Sequence, residues 1–534
     1  MPGPSGVTSL PTLEPEVLQF RHPQAPGAVR PPSRMLARWR SISPVDLAIT
    51  AAFAIVLIVQ ISRHEMWRDE IHSWGLVLAS PSLPDLFENV RFTGHPGLWY
   101  LLLWLASWVT QSPYAVQIVH AAIAISLIGV IGLASPFSRL EKLLLLSSYF
   151  VLFEYTVISR NYGLGFLIAL IYAHMRATRP DRLYLNACLL GLLANTNMFA
   201  FVLSAAFGFE YAVDLLMRRR KEIAAVLSGL LLPTMLYLAF VALAIGAMWP
   251  SPDISWRTTG APLSQALNPM GLLAGAAGVL TTILPIRPLK YWDLGAGGSI
   301  HPWDALALPA LLFVIFYIFR NHRRLLLIPG LTVAGTVAVH QLVYAGSIRH
   351  WGINFVALVA MLWMQRIWSP SRSYLVLALF AINAAAGIAI SVQQFPMTFS
   401  EGENAAKWIR GHGLVDDALV GTPDTLAAVV AQYLGKPIYF LDCSCTDTYL
   451  LYHKRRDSFD RTQVAARLVR AVDELQGRRI VFIISRPLHE PEASALRTAG
   501  IDVTPIASFE EASSDENFYL YRVQPSAAGG QLRH

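Results

Sequence analysis

Apolar runs of about 15 to 25 residues recur from position 44 to position 392, each close to the length a helix needs to cross roughly 30 Å of hydrocarbon. Backbone in hydrocarbon must satisfy its own N–H and C=O groups, so a chain with this pattern folds as a bundle of closely spaced helices. Composition agrees: 54% of the 534 residues are hydrophobic and 14% charged, where a soluble globular protein carries roughly a quarter charged residues. The net charge of +7 is not a nucleic-acid footprint, because Lys and Arg sit in short clusters between the apolar runs, which is a topology signal. Residues 1–43, rich in Pro and Arg, have no apolar core and no small-residue cleavage site. They read as a disordered cytoplasmic tail and not a signal peptide. Three cysteines are too few for a disulfide framework. Cys188 lies in an apolar run and Cys443 and Cys445 are one residue apart, so no redox role is expected.

Orientation follows from the positive-inside rule. With the strongest cluster, Arg218-Arg219-Arg220-Lys221, in the cytoplasm, the clusters at 320–324, 366–372 and 176–182, Arg139 with Lys142, and the tail ending at Arg40 all fall on the same side. The outer side receives residues 63–97, the turn at 154–162, a long loop at 248–302, the turn at 346–350 and everything after Val392. Residues 98–110 are too short for a full crossing and are read as re-entrant or partly spanning. The expected fold is therefore an α-helical polytopic membrane protein of about 11 to 13 transmembrane helices, N-terminus in and C-terminus out, in a bacterial inner (plasma) membrane.

After Val392 the pattern changes. Short β-type runs at 438–441, 479–485 and 518–523 alternate with amphipathic stretches at 405–410 and 464–475, which predicts a small extracytoplasmic α/β domain over 393–534. It carries no Gly-rich nucleotide loop, and Gly411-His412-Gly413 reads as a helix stop.

The candidate chemistry lies in the first outer loop, where Trp67-Arg68-Asp69-Glu70-Ile71-His72 follows the first apolar run. Adjacent carboxylates with a nearby histidine suit a general base or a divalent cation, or they simply line a wet interface. The same loop ends in His95-Pro96-Gly97. The next outer turn supplies Glu154 and Ser159-Arg160-Asn161-Tyr162, and a later one supplies Arg349-His350. Ionisable groups gathered beside apolar segments on one side are a functional signal. The competing reading of Arg160 and Arg349 is snorkelling to lipid headgroups, and that of the Trp and Tyr residues is interfacial anchoring.

An acidic residue straight after the first membrane helix, a His-Pro motif before the second hydrophobic stretch and a Ser-Arg motif in the following outer turn resemble the GT-C glycosyltransferases. The closest resemblance is to the family that holds protein O-mannosyltransferases and the aminoarabinose transferases of lipid A. The resemblance covers roughly residues 41–217, and more loosely the whole chain. Two positions depart from that family: Gly97 stands where a second Pro is usual, and Leu164 where an Asp is usual. Glu154 is the substitute candidate for that acid.

The resemblance implies a polyprenyl-phosphate sugar donor, an extracytoplasmic acceptor, membrane lipid around the bundle and an inverting displacement at the outer face. Asp69 is then the catalytic base with Glu70 beside it. Arg160, Arg349 and His350 bind the donor phosphate, and His72, His95, Glu154 and Tyr162 support them. His95 serves equally well to hold the loop. Asp69, Glu70 and His72 make an incomplete ligand set for a divalent cation, so no metal and no cofactor is assigned. A lipid-linked sugar transporter or flippase, or a non-catalytic envelope assembly subunit, would share the helical pattern. A transporter should place its charges near the bilayer midplane, in pseudo-symmetric halves.

Overall fold

The computed structural model describes residues 42–218, 223–251, 269–285, 304–343, 346–450, 463–475 and 477–526. Arg219, Arg220 and Lys221 of the orienting cluster, and the tail before residue 42, lie outside the described residues. Ser43–His534 forms one compact unit.

Among the described residues, six helices are long and apolar enough to cross a membrane: Pro44–Arg63, Ala115–Ala134, Met198–Arg218, Val226–Met248, Arg323–Leu342 and Tyr374–Gln394. Shorter apolar helices accompany them at Leu98–Ser107, Leu183–Ala194, Gly271–Ile283 and Leu306–Phe319. Ile55, Ile58, Leu231, Leu232 and Phe313 point outward and are exposed. Such a broad apolar exterior calls for an apolar solvent. At the centre, Ile353–Trp368 is buried from Ile353 to Arg366, as expected for a helix that is apolar on every side.

One end of the bundle collects the cationic positions. Arg176 pairs with Glu210 at 3.3 Å and Asp214 at 2.8 Å, and Asp214 also holds Arg218 and Arg324. Arg366 pairs with Glu141, and Lys142 and Arg139 pair with Asp46. The clusters that the charge pattern assigned to one side thus lie together.

Leu98–Ser107 stays at the opposite end. The Leu98 N–H donates to the Asn195 carbonyl at 3.0 Å. The Trp104 indole donates to the Ser80 carbonyl at 2.9 Å, and the Trp74 indole to the Gln111 carbonyl at 3.3 Å. Both flanks are therefore tied to the same neighbourhood. The expectation of an unbroken loop at 248–302 needs correction, because Pro269–Ile283 is a helix. Its glycines allow a close approach: a Cβ at Gly278 would sit 2.6 Å from the Trp351 ring.

The C-terminal region builds a six-stranded sheet of β1 (Ala418–Thr422), β2 (Ile438–Phe440), β3 (Cys445–Asp447), β4 (Ile480–Ile484), β5 (Ile501–Phe509) and β6 (Phe518–Pro525). The strand order is β3-β2-β1-β4-β6-β5, with β1 parallel to β2 and β4 and the β2–β3, β4–β6 and β5–β6 pairs antiparallel. Alternation assigns the two faces. Leu419, Val481, Ile483 and Leu520 pack with helices Gly402–Gly411 and Asp424–Leu434, and Ala418, Val420, Phe482 and Val523 pack with Val464–Glu474 and Glu490–Thr498. Gly413, at φ 65°, turns the chain away after Gly402–Gly411. Cys443 and Cys445, too few with Cys188 for a disulfide framework, form a single disulfide. Ser444 between them lies in the left-handed region at φ 49°, which folds the tripeptide back so that the sulfurs meet.

This region rests on the helix Arg68–Leu78. Val429 and Tyr449 join Met66, Ile71 and Trp74 in one apolar cluster, and a Cβ at Gly75 would lie 2.5 Å from the Tyr449 ring. Around it, the Met66 N–H donates to the Tyr433 hydroxyl at 3.2 Å, and the Phe399 N–H to the Glu65 carboxylate at 2.9 Å. Glu516 accepts from the Arg68 N–H at 2.9 Å and from the Ser400 hydroxyl at 2.7 Å.

Burial raises the Glu516 carboxyl to about 7 in spite of the opposing pull of Arg68 and Ser400. Its folded value exceeds its unfolded one, so its stabilising contribution is fully present below the ordinary carboxylate range and is lost as pH rises through about 7. The thermal midpoint in detergent should therefore fall from about pH 5 to about pH 8, and Glu516→Gln should flatten that slope. An unchanged slope in the variant would assign the pH dependence to other groups.

Candidate functional site

The end of the bundle that carries the sheet region also carries the first loop. Arg68–Leu78 begins with both carboxylates in its first turn, where the N-terminal partial charge favours them. Successive helical residues point about 100° apart, so Asp69 and Glu70 diverge. Glu70 turns inward and is fully buried. Its Oε2 accepts from the Trp67 N–H at 3.2 Å and meets His64 Nε2 at 2.8 Å, while Oε1 accepts from the Ser159 N–H at 2.5 Å. Both oxygens are thereby occupied in fastening the first loop to the Ser159-Arg160 turn.

Asp69 turns the other way, with its side chain 29% exposed. Its Oδ2 lies 3.0 Å from Arg160 Nη1 and 3.1 Å from Arg349 Nη2. The Arg160 Nη1 also donates to the Asp69 carbonyl at 2.8 Å, and the Arg349 guanidinium lies 5.2 Å from the centre of the Trp67 ring. Burial works to raise the Asp69 carboxyl, but Arg160, then Arg349, Arg68 and His72, hold it down to about 2. The site therefore presents an ionised carboxylate shared by two guanidiniums at the mouth of an apolar bundle.

The remaining candidates take different positions. His95 stands in the field of Arg160, Asp69 and Arg349, and burial followed by Arg160 lowers its imidazole to about 3, so it is neutral at ordinary pH. Its Nδ1 is buried without a hydrogen-bond partner. His350 is buried against Phe199 and Tyr162. Its Nδ1 accepts from the Ser347 N–H at 2.7 Å, and burial, then Arg349, push it well below the ordinary imidazole range. It therefore fastens the turn that carries Arg349 and adds no positive charge. Tyr162 stacks on Tyr155 at 5.4 Å, and the Tyr155 hydroxyl donates to the Arg349 carbonyl at 2.5 Å. Glu154 accepts from the Tyr149 hydroxyl at 2.7 Å, one layer behind the site and in the field of Arg349 and His64. His72 turns toward the sheet region, with Nε2 3.0 Å from the Tyr449 hydroxyl. Together with Arg68, Ile71, Asp424 and Thr425 it lines a narrow cleft there.

Asp69, Glu70 and His72 thus face three ways, and among the described residues no three His, Cys, Asp or Glu side chains are placed to hold a metal ion. Sequence reasoning missed His64, and gave no role to Trp67, Arg68 or Tyr155. Their roles depend on partners brought close only by folding, and the one local signal was the position of His64 and Trp67 just past the first apolar run. No protein-family model matches the chain, and no curated protein sequence matches it either.

Removing Glu70 strands buried groups. Breaking a buried pair by deleting one partner typically costs about 3–5 kcal/mol, so Glu70→Ala should lower the unfolding midpoint in detergent clearly, with Glu70→Gln intermediate. A midpoint unchanged in Glu70→Ala would dismiss Glu70 as the fastening residue.

Proposed function

We propose that the chain is an integral-membrane glycosyltransferase of GT-C-like architecture, which moves a sugar from a polyprenyl-phosphate carrier to an extracytoplasmic acceptor. The observation that carries this reading is the convergence of Arg160 and Arg349 on one carboxylate oxygen of Asp69, at an apolar bundle's end. A donor of this class has an isoprenoid chain that needs an apolar environment, and a phosphate that needs cations where the chain meets water. Two guanidiniums, each able to offer parallel N–H donors, match a phosphate better than ammonium groups would. In this reading the bundle makes about 11 to 13 passes in a bacterial inner membrane, with the sheet region and the site outside and the N-terminus in the cytoplasm.

The reaction then balances as a single displacement. The acceptor hydroxyl oxygen attacks the anomeric carbon and forms the new C–O bond. The bond from that carbon to the phosphate oxygen breaks, with its electron pair leaving on the phosphate. Asp69 takes the hydroxyl proton, which passes afterwards to solvent. Arg160 and Arg349 offset the charge growing on the leaving phosphate. Neutral His95 offers a ring nitrogen to the acceptor or to a phosphate oxygen. Glu70 and His350 act through others, as positioning residues for the two turns that carry the arginines.

The purified full chain in lipid, given a panel of polyprenyl-phosphate sugars and cell-envelope fractions, should release polyprenyl phosphate and glycosylate one fraction, both read by mass spectrometry. Asp69→Asn should lower turnover by roughly 10²- to 10⁴-fold, the usual worth of general-base assistance. Turnover within about threefold of wild type would remove Asp69 as the base. Arg160→Lys keeps the charge but loses the fork and should slow the reaction, and Arg160→Ala should cost on the order of 3 kcal/mol of transition-state stabilisation. A fully active Arg160→Lys enzyme would favour simple headgroup anchoring.

A further inference from the structure

We infer that Arg160 and Arg349 form an exchangeable clamp: the phosphate of the donor displaces the Asp69 carboxylate from both guanidiniums, and so frees the base as the leaving group binds. This rests on the glycosyl-transfer reading of the site and adds an order of events to it. Both arginines contact the same oxygen, Oδ2, at 3.0 and 3.1 Å, so one rotation of one short side chain breaks both contacts together. The arginines are the fixed partners. Their side chains are 12% and 9% exposed against 29% for Asp69. Arg160 is also held by the Asp69 backbone carbonyl. Arg349 is held by the Trp67 ring and by the Tyr155 hydroxyl on its own carbonyl. Asp69 sits in the first turn of its helix and is the most exposed of the three side chains.

A phosphate monoester or diester offers more acceptor oxygens than one carboxylate oxygen can, and it satisfies forked guanidinium donors in parallel. Once released, Asp69 loses the two cations that hold it ionised, and its affinity for a proton rises. A base held by the clamp is weak. The same carboxylate becomes competent only when the phosphate that must depart is in place, so the acceptor is not deprotonated without a donor.

The test is a binding measurement whose sign opposes the usual expectation for a lost site residue. Full-length protein in phosphatidylcholine nanodiscs is titrated with polyprenyl phosphate. Asp69→Asn removes the competing internal anion and should bind roughly tenfold more tightly than wild type, within the normal range of coupling between sites, even though its turnover is lost. Equal or weaker binding by the folded variant overturns the clamp and leaves the glycosyl-transfer reading standing. If neither protein binds polyprenyl phosphate, the site reading itself falls. Should Asp69→Asn fail to fold, a wild-type structure with polyprenyl phosphate decides. Both guanidiniums on the phosphate, with the Asp69 carboxylate outside ion-pair reach, supports exchange, and Oδ2 still held by both arginines refutes it.

Discussion

Charge beside an apolar bundle must find a partner, and the arrangement of the site end follows from how Asp69 and Glu70 find theirs. Adjacent in sequence and diverging by about 100° on a helix, the two carboxylates divide the work. Glu70 fastens His64, Trp67 and Ser159 and thereby fixes where Arg160 begins. Asp69 then meets Arg160 and Arg349. Glu70 thus shares with the Arg160–Asp69 contacts the fastening of the turn to the first loop.

The sheet region extends the same logic. It does not hang from the last helix but sits on the helix Arg68–Leu78 through Tyr449, Val429 and Tyr433, with Glu516 at the backbone of Arg68. The residue before the candidate base is therefore held by a strand-end loop more than four hundred positions away. Gly75 allows this contact, since no side chain fits between its helix and Tyr449.

At the far end of the bundle, Arg176, Arg218 and Arg324 surround Asp214, and Arg366 meets Glu141. Except for Arg218–Asp214, which lies within one helix, these pairs join separate helices at the level where the apolar runs stop. Carboxylates there neutralise the cations that the chain concentrates on one side. The two ends thus use ion pairs differently: one ties helices together, and the other sets two cations against a single partly exposed anion.

Much of this was legible in the sequence because it depends on local windows. Hydrophobic run length set the helical bundle, and the spacing of Lys and Arg grouped the cationic positions at one end. Alternation marked β2, β4 and β6, and the short length of 98–110 set this segment apart from the longer apolar runs. Asp69, Arg160 and Arg349 could be named as candidates because charge beside apolar sequence is costly wherever it occurs. The tertiary structure alone decided who pairs with whom. Asp69 meets arginines 91 and 280 positions away, Glu70 is used up in fastening, and His350 and His72 turn from the cluster they were expected to join. Helix phase and packing settle such directions, and neither is written in a window of a dozen residues. The helix within 248–302, the Cys443–Cys445 bridge and the short buried strand β1 are local features that the sequence reading did not single out. Local energetics determine which segments fold and which charges need partners, whereas the partner of a buried charge is chosen by contacts that exist only after the segments have packed.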